Sequence, residues 1–468
     1  MVVTNAMIYL CLRRWQNRSF TQMKFLKSIF WPFISISLLT ILIIFMTLQW
    51  SRSLRVDVNL FPFNLSNRTR NVLNEIRRQV NTFVYNQTRI ESEGPKYGGL
   101  MSTTQEELEG MEWENNIDCT KHRRKTSAED LLCLERKTFL MNYRNPCYYE
   151  NNSTLRCLPY FQIIGVCKSG TSDLFKRMLR HPQIVQNKGI LKKETWFWTW
   201  RRHGNVGFHT NMPGRTMMLS TFLDLFDAKT IQTNIVYIKD YGEYHPLVTG
   251  HGDPMDFWDQ ASWRDIPQND QNADEPVYTD IHVIRHLNPN LKLILLLRDP
   301  VERLFSNYLH ASFGSTADEF HKDVLLSLDL LNNCTRNKTM RACLYTPSIL
   351  GSLRTPISGS FYSLHLKEWL KAFPRKQMFI TRTEDFGRDI LGTLVQIFRF
   401  LRLEAMPTKD LYQIAQEGHY YITSKKSRSG NILNETRILL NEYFNPYNEE
   451  LAHILGNENY LWDDMKRS

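Results

Sequence analysis

The chain has no Asp or Glu before Asp57, and no charge of either sign between Ser28 and Ser51. An uncharged run of that length, rich in Ile, Leu and Phe, suits one helix crossing a bilayer core. It is too long for the apolar core of a cleaved signal peptide, and no small-residue cleavage site is obvious. Arg13, Arg14, Arg18, Lys24 and Lys27 precede the run, against Arg52 and Arg55 just after it. This bias predicts a cytoplasmic N-terminus and a body on the far side of the membrane. The chain also lacks a Cys-x-x-Cys pair and any His cluster at zinc-ligand spacing, so no structural metal is expected. There is no internal repeat and no low-complexity run, which argues against a solenoid.

The cysteines and glycosylation acceptors fit an oxidising lumen. Beyond the predicted span, Asn-x-Ser/Thr triplets stand at Asn64, Asn67, Asn86, Asn151, Asn152, Asn333, Asn337 and Asn434. Eight cysteines are present. Cys11 falls on the cytoplasmic side of the predicted span. Cys119, Cys133, Cys147 and Cys157 form a cluster whose pairing the sequence leaves open. Cys334 and Cys343 are close enough to bridge each other, and Cys167 is left over. The expected layout is a tail over 1–27, a membrane anchor over 28–51, a polar stem over 52–112 and a globular domain over 113–468. The formal net charge of +10 suits a polyanionic partner. A lumenal body argues against nucleic acid and for an acidic polysaccharide.

Within the globular part, apolar runs at 161–166, 235–238, 291–297 and 377–381 read as strands. Amphipathic stretches at 360–372, 391–401 and 435–451 read as helices. Fully apolar strands separated by helices imply an α/β fold: three α/β/α layers around a central, mainly parallel sheet. Ligands of such sheets gather beyond the C-terminal ends of the strands.

Two strand ends carry chemistry. The first run leads into Cys167-Lys-Ser-Gly-Thr-Ser172 and then a helix. A strand, a short loop and a helix N-terminus make an anion cradle. Gly165-x-x-x-x-Gly170 has the spacing of a nucleotide phosphate loop. Thr171 stands where a kinase-type loop needs lysine, and the lysine is Lys168 inside the loop. This disfavours a kinase and fits transfer of a group beyond a 5′-phosphate. The third run leads into Arg298-Asp-Pro300, with Arg303, Ser306, Asn307 and Tyr308 on the following helix. Arg298 offers a bidentate phosphate clamp and Ser306 a hydroxyl donor.

This pair of motifs resembles the Golgi carbohydrate sulfotransferases. Their loop reads close to P-K-x-G-T-T and their second motif R-x-P-x-x-R-x-x-S-x-Y. The second motif is matched at Arg298, Pro300, Arg303, Ser306 and Tyr308. The first is matched at Lys168, Gly170 and Thr171, with Cys167 in place of Pro and Ser172 in place of Thr. Over roughly 147–455, the chain is most similar to members that sulfate the 6-hydroxyl of N-acetylgalactosamine 4-sulfate.

The resemblance implies a P-loop-like site for 3′-phosphoadenosine-5′-phosphosulfate (PAPS) as donor and a chondroitin or dermatan chain as acceptor. No metal is implied. It assigns Lys168, Ser169, Gly170, Thr171 and Ser172 to the 5′-phosphosulfate, and Arg298 and Ser306 to the 3′-phosphate. Lys168 is also catalytic. Glu194, in a Lys-Glu-x-aromatic segment, is the expected general base, with Trp196 where the family has His. That exchange is expected to remove one polar contact from the site. Lys425, Lys426 and Arg428 lie in a basic loop where the family closes the nucleotide pocket. The implied location is the Golgi membrane, single-pass, with the domain in the lumen. Competing readings are 2-O- or 3-O-sulfation of another glycosaminoglycan, or an inactive protein that only binds sulfated glycan.

Overall fold

The computed structural model describes residues 113–114, 117–120, 128–205, 216–420 and 429–463. The expected tail, membrane anchor and stem all lie outside these residues. Among the described residues no helix is long and apolar enough to cross a membrane.

In chain order the strands are β1 (Cys147–Glu150), β2 (Thr154–Cys157), β3 (Phe161–Gly165), β4 (Ile184–Val185), β5 (Val236–Ile238), β6 (Gly242–Tyr244), β7 (Val248–Gly252), β8 (Lys292–Leu297) and β9 (Met378–Arg382). The main helices here are α1 (Thr171–Met178), α2 (Asp280–Leu287), α3 (Pro300–His310), α4 (Ala317–Thr335), α5 (Tyr362–Ala372), α6 (Ile390–Phe400) and α7 (Asn434–Leu455). Five strands form the central sheet in the order β4-β7-β3-β8-β9. Every pairing in it is parallel.

Alternation along β8 shows why its sequence is apolar throughout. Leu293, Leu295 and Leu297 pack with Ile281 and Ile284 of α2 and Leu366 and Trp369 of α5. Ile294 and Leu296 pack on the other face with Leu174 and Phe175 of α1 and Leu394 and Ile397 of α6. A strand covered on both faces has no polar side to offer. The three-layer α/β/α expectation therefore holds. A third cluster joins α3 and α4 with Phe361 and Phe444 beside the sheet.

One expectation for a strand needs correction. Residues 235–238 do contain a strand, but β5 pairs antiparallel with β6 in a separate hairpin. Its side chains are partly or well exposed, and Tyr237 is 79% exposed. The sheet position expected for it belongs to β7, VTGHG, which no apolar run announces. Gly250 is required there because a Cβ would sit 2.6 Å from the Phe161 ring and carbonyl of β3. Close strand packing thus erased the usual strand signal.

The bridges are Cys119–Cys133, Cys147–Cys157 and Cys334–Cys343, with Cys167 free. Cys147 and Cys157 are direct partners across the β1–β2 ladder.

One buried cap makes stability pH-dependent. Thr279 caps α2, and its backbone N–H donates to Nδ1 of His282 at 3.1 Å. That nitrogen must be unprotonated. Burial pushes His282 down to about 4 from its ordinary 6.5. Between these values the unfolded chain binds the extra proton, so stability is full above pH 6.5 and falls as pH drops toward 4. The expected loss is about 3 kcal/mol at the acid end. His282→Gln keeps an acceptor for the capping box. Denaturant unfolding between pH 7 and 4 should show a shallower acid loss in that variant; identical slopes would exclude this origin.

Candidate active site

The sheet brings the two sequence motifs together. β3 and β8 are neighbours, with Gly165 opposite Leu295 near their C-terminal ends. The loops that follow them, 166–170 and 298–299, must therefore lie side by side. Strand order reverses at this point, since the chain runs from β3 outward to β4 and later returns to β8 on the other side. Such a switch point is where an open parallel sheet leaves room for a ligand.

The loop after β3 is built to leave donors free. Gly170 caps α1 at φ +83°, and no side chain bonds to the helix N-terminus. The first-turn amides of a helix have no partner within it. They and the dipole of α1 face the loop. Lys168 also holds a left-handed φ of +67°. Arg298 donates from Nη1 to the Lys168 carbonyl at 3.2 Å, so the second motif braces the first. Thr383 Oγ1 lies 2.8 Å from the Ser169 carbonyl and 3.0 Å from the Leu297 carbonyl. It ties the loop to the end of β8. Burial pushes the Lys168 ammonium below its ordinary pKa, and neighbouring Arg298 acts in the same direction.

Pro300 occupies the first turn of α3, and Asp299 caps it by accepting from the amides of Val301 and Glu302. Arg298 leaves the strand end with its side chain 23% exposed, and Glu302 lies 3.4 Å from its guanidinium. Ser306 sits two turns into α3 and is 5% exposed. Arg303 is wholly buried and bonds Ser360 Oγ and the Pro356 carbonyl, both at 2.9 Å. Tyr308 is buried and donates to Asp323 at 2.6 Å. Arg303 and Tyr308 thus hold α3 in place from within the fold.

Glu194 follows a tight turn in which Leu191 and Lys192 take φ of +51° and +56°. That turn sends Lys192 to solvent and Lys193 inward. Lys193 Nζ lies 3.3 Å from Thr171 Oγ1, 3.2 Å from Ser172 Oγ and 2.9 Å from Glu194 Oε1. Its side chain is only 4% exposed and that of Glu194 16%. The Lys-Lys-Glu run is therefore no solvated ion pair. One buried ammonium joins the carboxylate to the hydroxyls of the anion loop. Three cationic side chains, loop hydroxyls and a carboxylate converge at one strand switch.

A sulfotransferase domain family matches residues 161–442 of the chain. The chain belongs to the sulfotransferase family. It is similar to carbohydrate sulfotransferase 15 of Homo sapiens, at 31% identity over 314 residues, covering 66% of this chain and 55% of that protein. The Mus musculus protein of that name is 32% identical with the same coverage. Heparan sulfate glucosamine 3-O-sulfotransferase 5 of Homo sapiens is 26% identical over 187 residues, covering 37% of this chain and 50% of that protein. The chain spans about half the length of the curated relatives it matches.

Two of the local departures of this sulfotransferase from its family's motifs, Trp196 and Cys167, have a physical reading. Trp196 replaces His, yet its indole Nε1 donates to Glu194 Oε2 at 2.8 Å. The exchange supplies a polar contact to Glu194, contrary to the loss expected from sequence. Cys167 is unpaired, and burial pushes its thiol up to about 11. It fills the loop as a neutral side chain.

Sequence reasoning missed Lys193, because its inward direction depends on the two left-handed residues before it. It also missed the buried set His251, Asp253 and Asp256, whose donor atoms lie within 4.8 Å of one another. Asp253 accepts from His251 Nδ1 at 2.9 Å and from the amides of Thr195 and Trp196 at 2.8 and 3.1 Å. Asp256 accepts from Gln162 Nε2 at 2.6 Å. Burial and adjacent Asp253 push Asp256 well above the carboxylate range. This network fixes the backbone directly after Glu194.

Lys425, Lys426 and Arg428 lie outside the described residues. Just before them, Tyr420 donates its amide to Asp173 in the first turn of α1 at 2.9 Å.

Thr383→Val should destabilise the domain by about 1–3 kcal/mol, because two carbonyls lose a shared hydroxyl donor. Thr383→Ser should keep most of that stability. Denaturant unfolding of both variants checks it.

Proposed function

We propose that the chain transfers a sulfuryl group from PAPS to a sugar hydroxyl of a glycosaminoglycan. The preferred acceptor is the 6-hydroxyl of N-acetylgalactosamine 4-sulfate in chondroitin or dermatan sulfate. The observation that carries this is the buried Lys193 bridge between Glu194 and the loop that holds Lys168. It couples a base to an anion site at hydrogen-bond range.

The residues fit a doubly phosphorylated donor. Lys168, Lys193 and Arg298 bring cationic charge, and Thr171 and Ser172 bring hydroxyls. Ser169 Oγ is wholly buried without a hydrogen-bond partner, which leaves an unused hydroxyl donor in the loop. PAPS supplies an activated sulfuryl group on a phosphate that can leave. The loop amides of 169–172 would hold the 5′-phosphate end, and Arg298 with Ser306 the 3′-phosphate. Lys168 would neutralise charge that grows on the departing oxygen. Glu194 would take the proton of the attacking hydroxyl. Once an anion draws Lys193 toward the loop, Glu194 Oε1 is released for that task.

The similarity to carbohydrate sulfotransferase 15 supports a glycan acceptor, and the positive charge of the chain supports an anionic one. We also propose a single-pass anchor at 28–51 with the domain in the Golgi lumen. The three disulfides support an oxidising compartment.

Residues 52–468 should transfer labelled sulfate from PAPS to chondroitin 4-sulfate, with the label at position 6 on disaccharide analysis. Label elsewhere, as at a 2- or 3-hydroxyl, would overturn the acceptor assignment. PAPS binding without transfer to any chain would favour the glycan-binding reading. Lys168→Ala should abolish transfer with folding and secretion intact. Glu194→Gln should lower kcat roughly 10²- to 10⁴-fold, the usual worth of a positioned base. Its affinity for 3′-phosphoadenosine 5′-phosphate, measured by calorimetry, should stay close to that of the parent.

A further inference from the structure

Beside Glu194 stands a surface that the transfer chemistry does not use. Trp196 is half-buried and takes φ +53°, an outlier for a bulky residue. The strain is imposed, because Asp253 accepts both the Thr195 and Trp196 amides. Backbone held this way next to a reacting group marks a functional position. The indole is fixed at one edge by its bond to Glu194. Trp200 packs edge-on against it, with ring centroids 5.5 Å apart. Trp200 is itself anchored, donating Nε1 to Asp259 at 2.8 Å. Two indoles are thus locked by two carboxylates, with one of them beside the base.

Arg201 completes the surface. Its guanidinium lies 5.8 Å from the Trp196 ring, and its backbone N–H bonds the Trp196 carbonyl at 2.8 Å. It forms no ion pair among the described residues. Its neighbour Arg202 is different, being buried and paired with Asp280 at 2.7 Å. A half-buried cation over an indole, without a carboxylate to neutralise it, is suited to an anion that arrives with a ligand.

We propose that Trp196 and Arg201 form the acceptor subsite, in which an anionic pyranose stacks on the indole while Arg201 binds its sulfate or carboxylate. This rests on the proposed transferase reading and deepens it. The apolar face of the sugar covers the ring, and the ring bond to Glu194 aligns the base with a hydroxyl at the edge of the stacked sugar. Replacement of the family's His by Trp then adds a platform and keeps a donor to the base.

The test uses the secreted domain with three oligosaccharides: unsulfated chondroitin, chondroitin 4-sulfate, and carboxyl-reduced chondroitin 4-sulfate. Quenching of tryptophan fluorescence gives binding without turnover, and initial rates give KM and kcat. Arg201→Ala should weaken binding and raise the acceptor KM by about 10- to 100-fold, the range for one charge-assisted contact. A larger loss on the carboxyl-reduced sulfated chain than on unsulfated chondroitin assigns Arg201 to the sulfate. The reverse assigns it to the carboxylate. Trp196→Phe keeps a ring but loses the donor, so kcat should fall with acceptor KM within about threefold. Trp196→Ala should raise KM as well. Affinity for 3′-phosphoadenosine 5′-phosphate should stay within about twofold in all three, which also shows that they fold. Unchanged acceptor binding in Arg201→Ala and Trp196→Ala, with that affinity intact, overturns the subsite. Binding that depends on both residues in a protein that transfers nothing would uphold the subsite and sink the transferase reading instead.

Discussion

The parallel pairing of β3 with β8 is the constraint on which the site depends. Neither strand end makes a pocket alone. Their pairing sets the Lys168 loop against Arg298, and Arg298 then bonds the loop carbonyl directly. Apolar cover on both faces keeps β8 from sliding, since a one-residue slip would exchange its two leucine- and isoleucine-bearing faces. Thr383, just after β9, adds a second tie, joining the Lys168 loop to the end of β8. The phosphate-type geometry is thus a consequence of sheet packing rather than of the loop sequence by itself.

Lys193 introduces the main electrostatic tension. A nearly buried ammonium is costly unless its donors are matched. Here two hydroxyls and a carboxylate match them. The bonds to Thr171 and Ser172 are to neutral groups, which an incoming anion outcompetes easily. The bond to Glu194 joins opposite charges and is the stronger one.

Much of the fold was legible because burial on both faces leaves a plain signature. The runs at 161–166 and 291–297 could hardly be anything but inner strands. The motif residues on them were legible too, since strand ends locate them without detailed geometry. β7 was not, because contact with Phe161 demanded glycine where a strand usually shows branched side chains. The hairpin strand β5 was visible as a strand, but its partner was not, since pairing is a long-range property. Lys193 was hidden by its company: two adjacent lysines and a glutamate look solvated until a left-handed turn is seen to separate them. The His251–Asp253–Asp256 set was hidden for a related reason. Its role is to bond backbone amides at 195 and 196, and backbone partners carry no sequence code.

Strain connects these observations. Lys168 and Trp196 both hold positive φ, and both flank groups assigned to chemistry. Each is restrained from outside its own segment, Lys168 through Arg298 and Trp196 through Asp253. A left-handed bulky residue persists only where the surroundings over-determine it. Asp253 can do this because its own charge is secured, with His251 and Thr195 among its partners. Burial and the neighbouring Asp253 push the Asp256 carboxyl upward. The core under the site thus spends its polar groups on fixing backbone. Lys168, Glu194 and Trp196 all lie on backbone that this core and Arg298 hold in place.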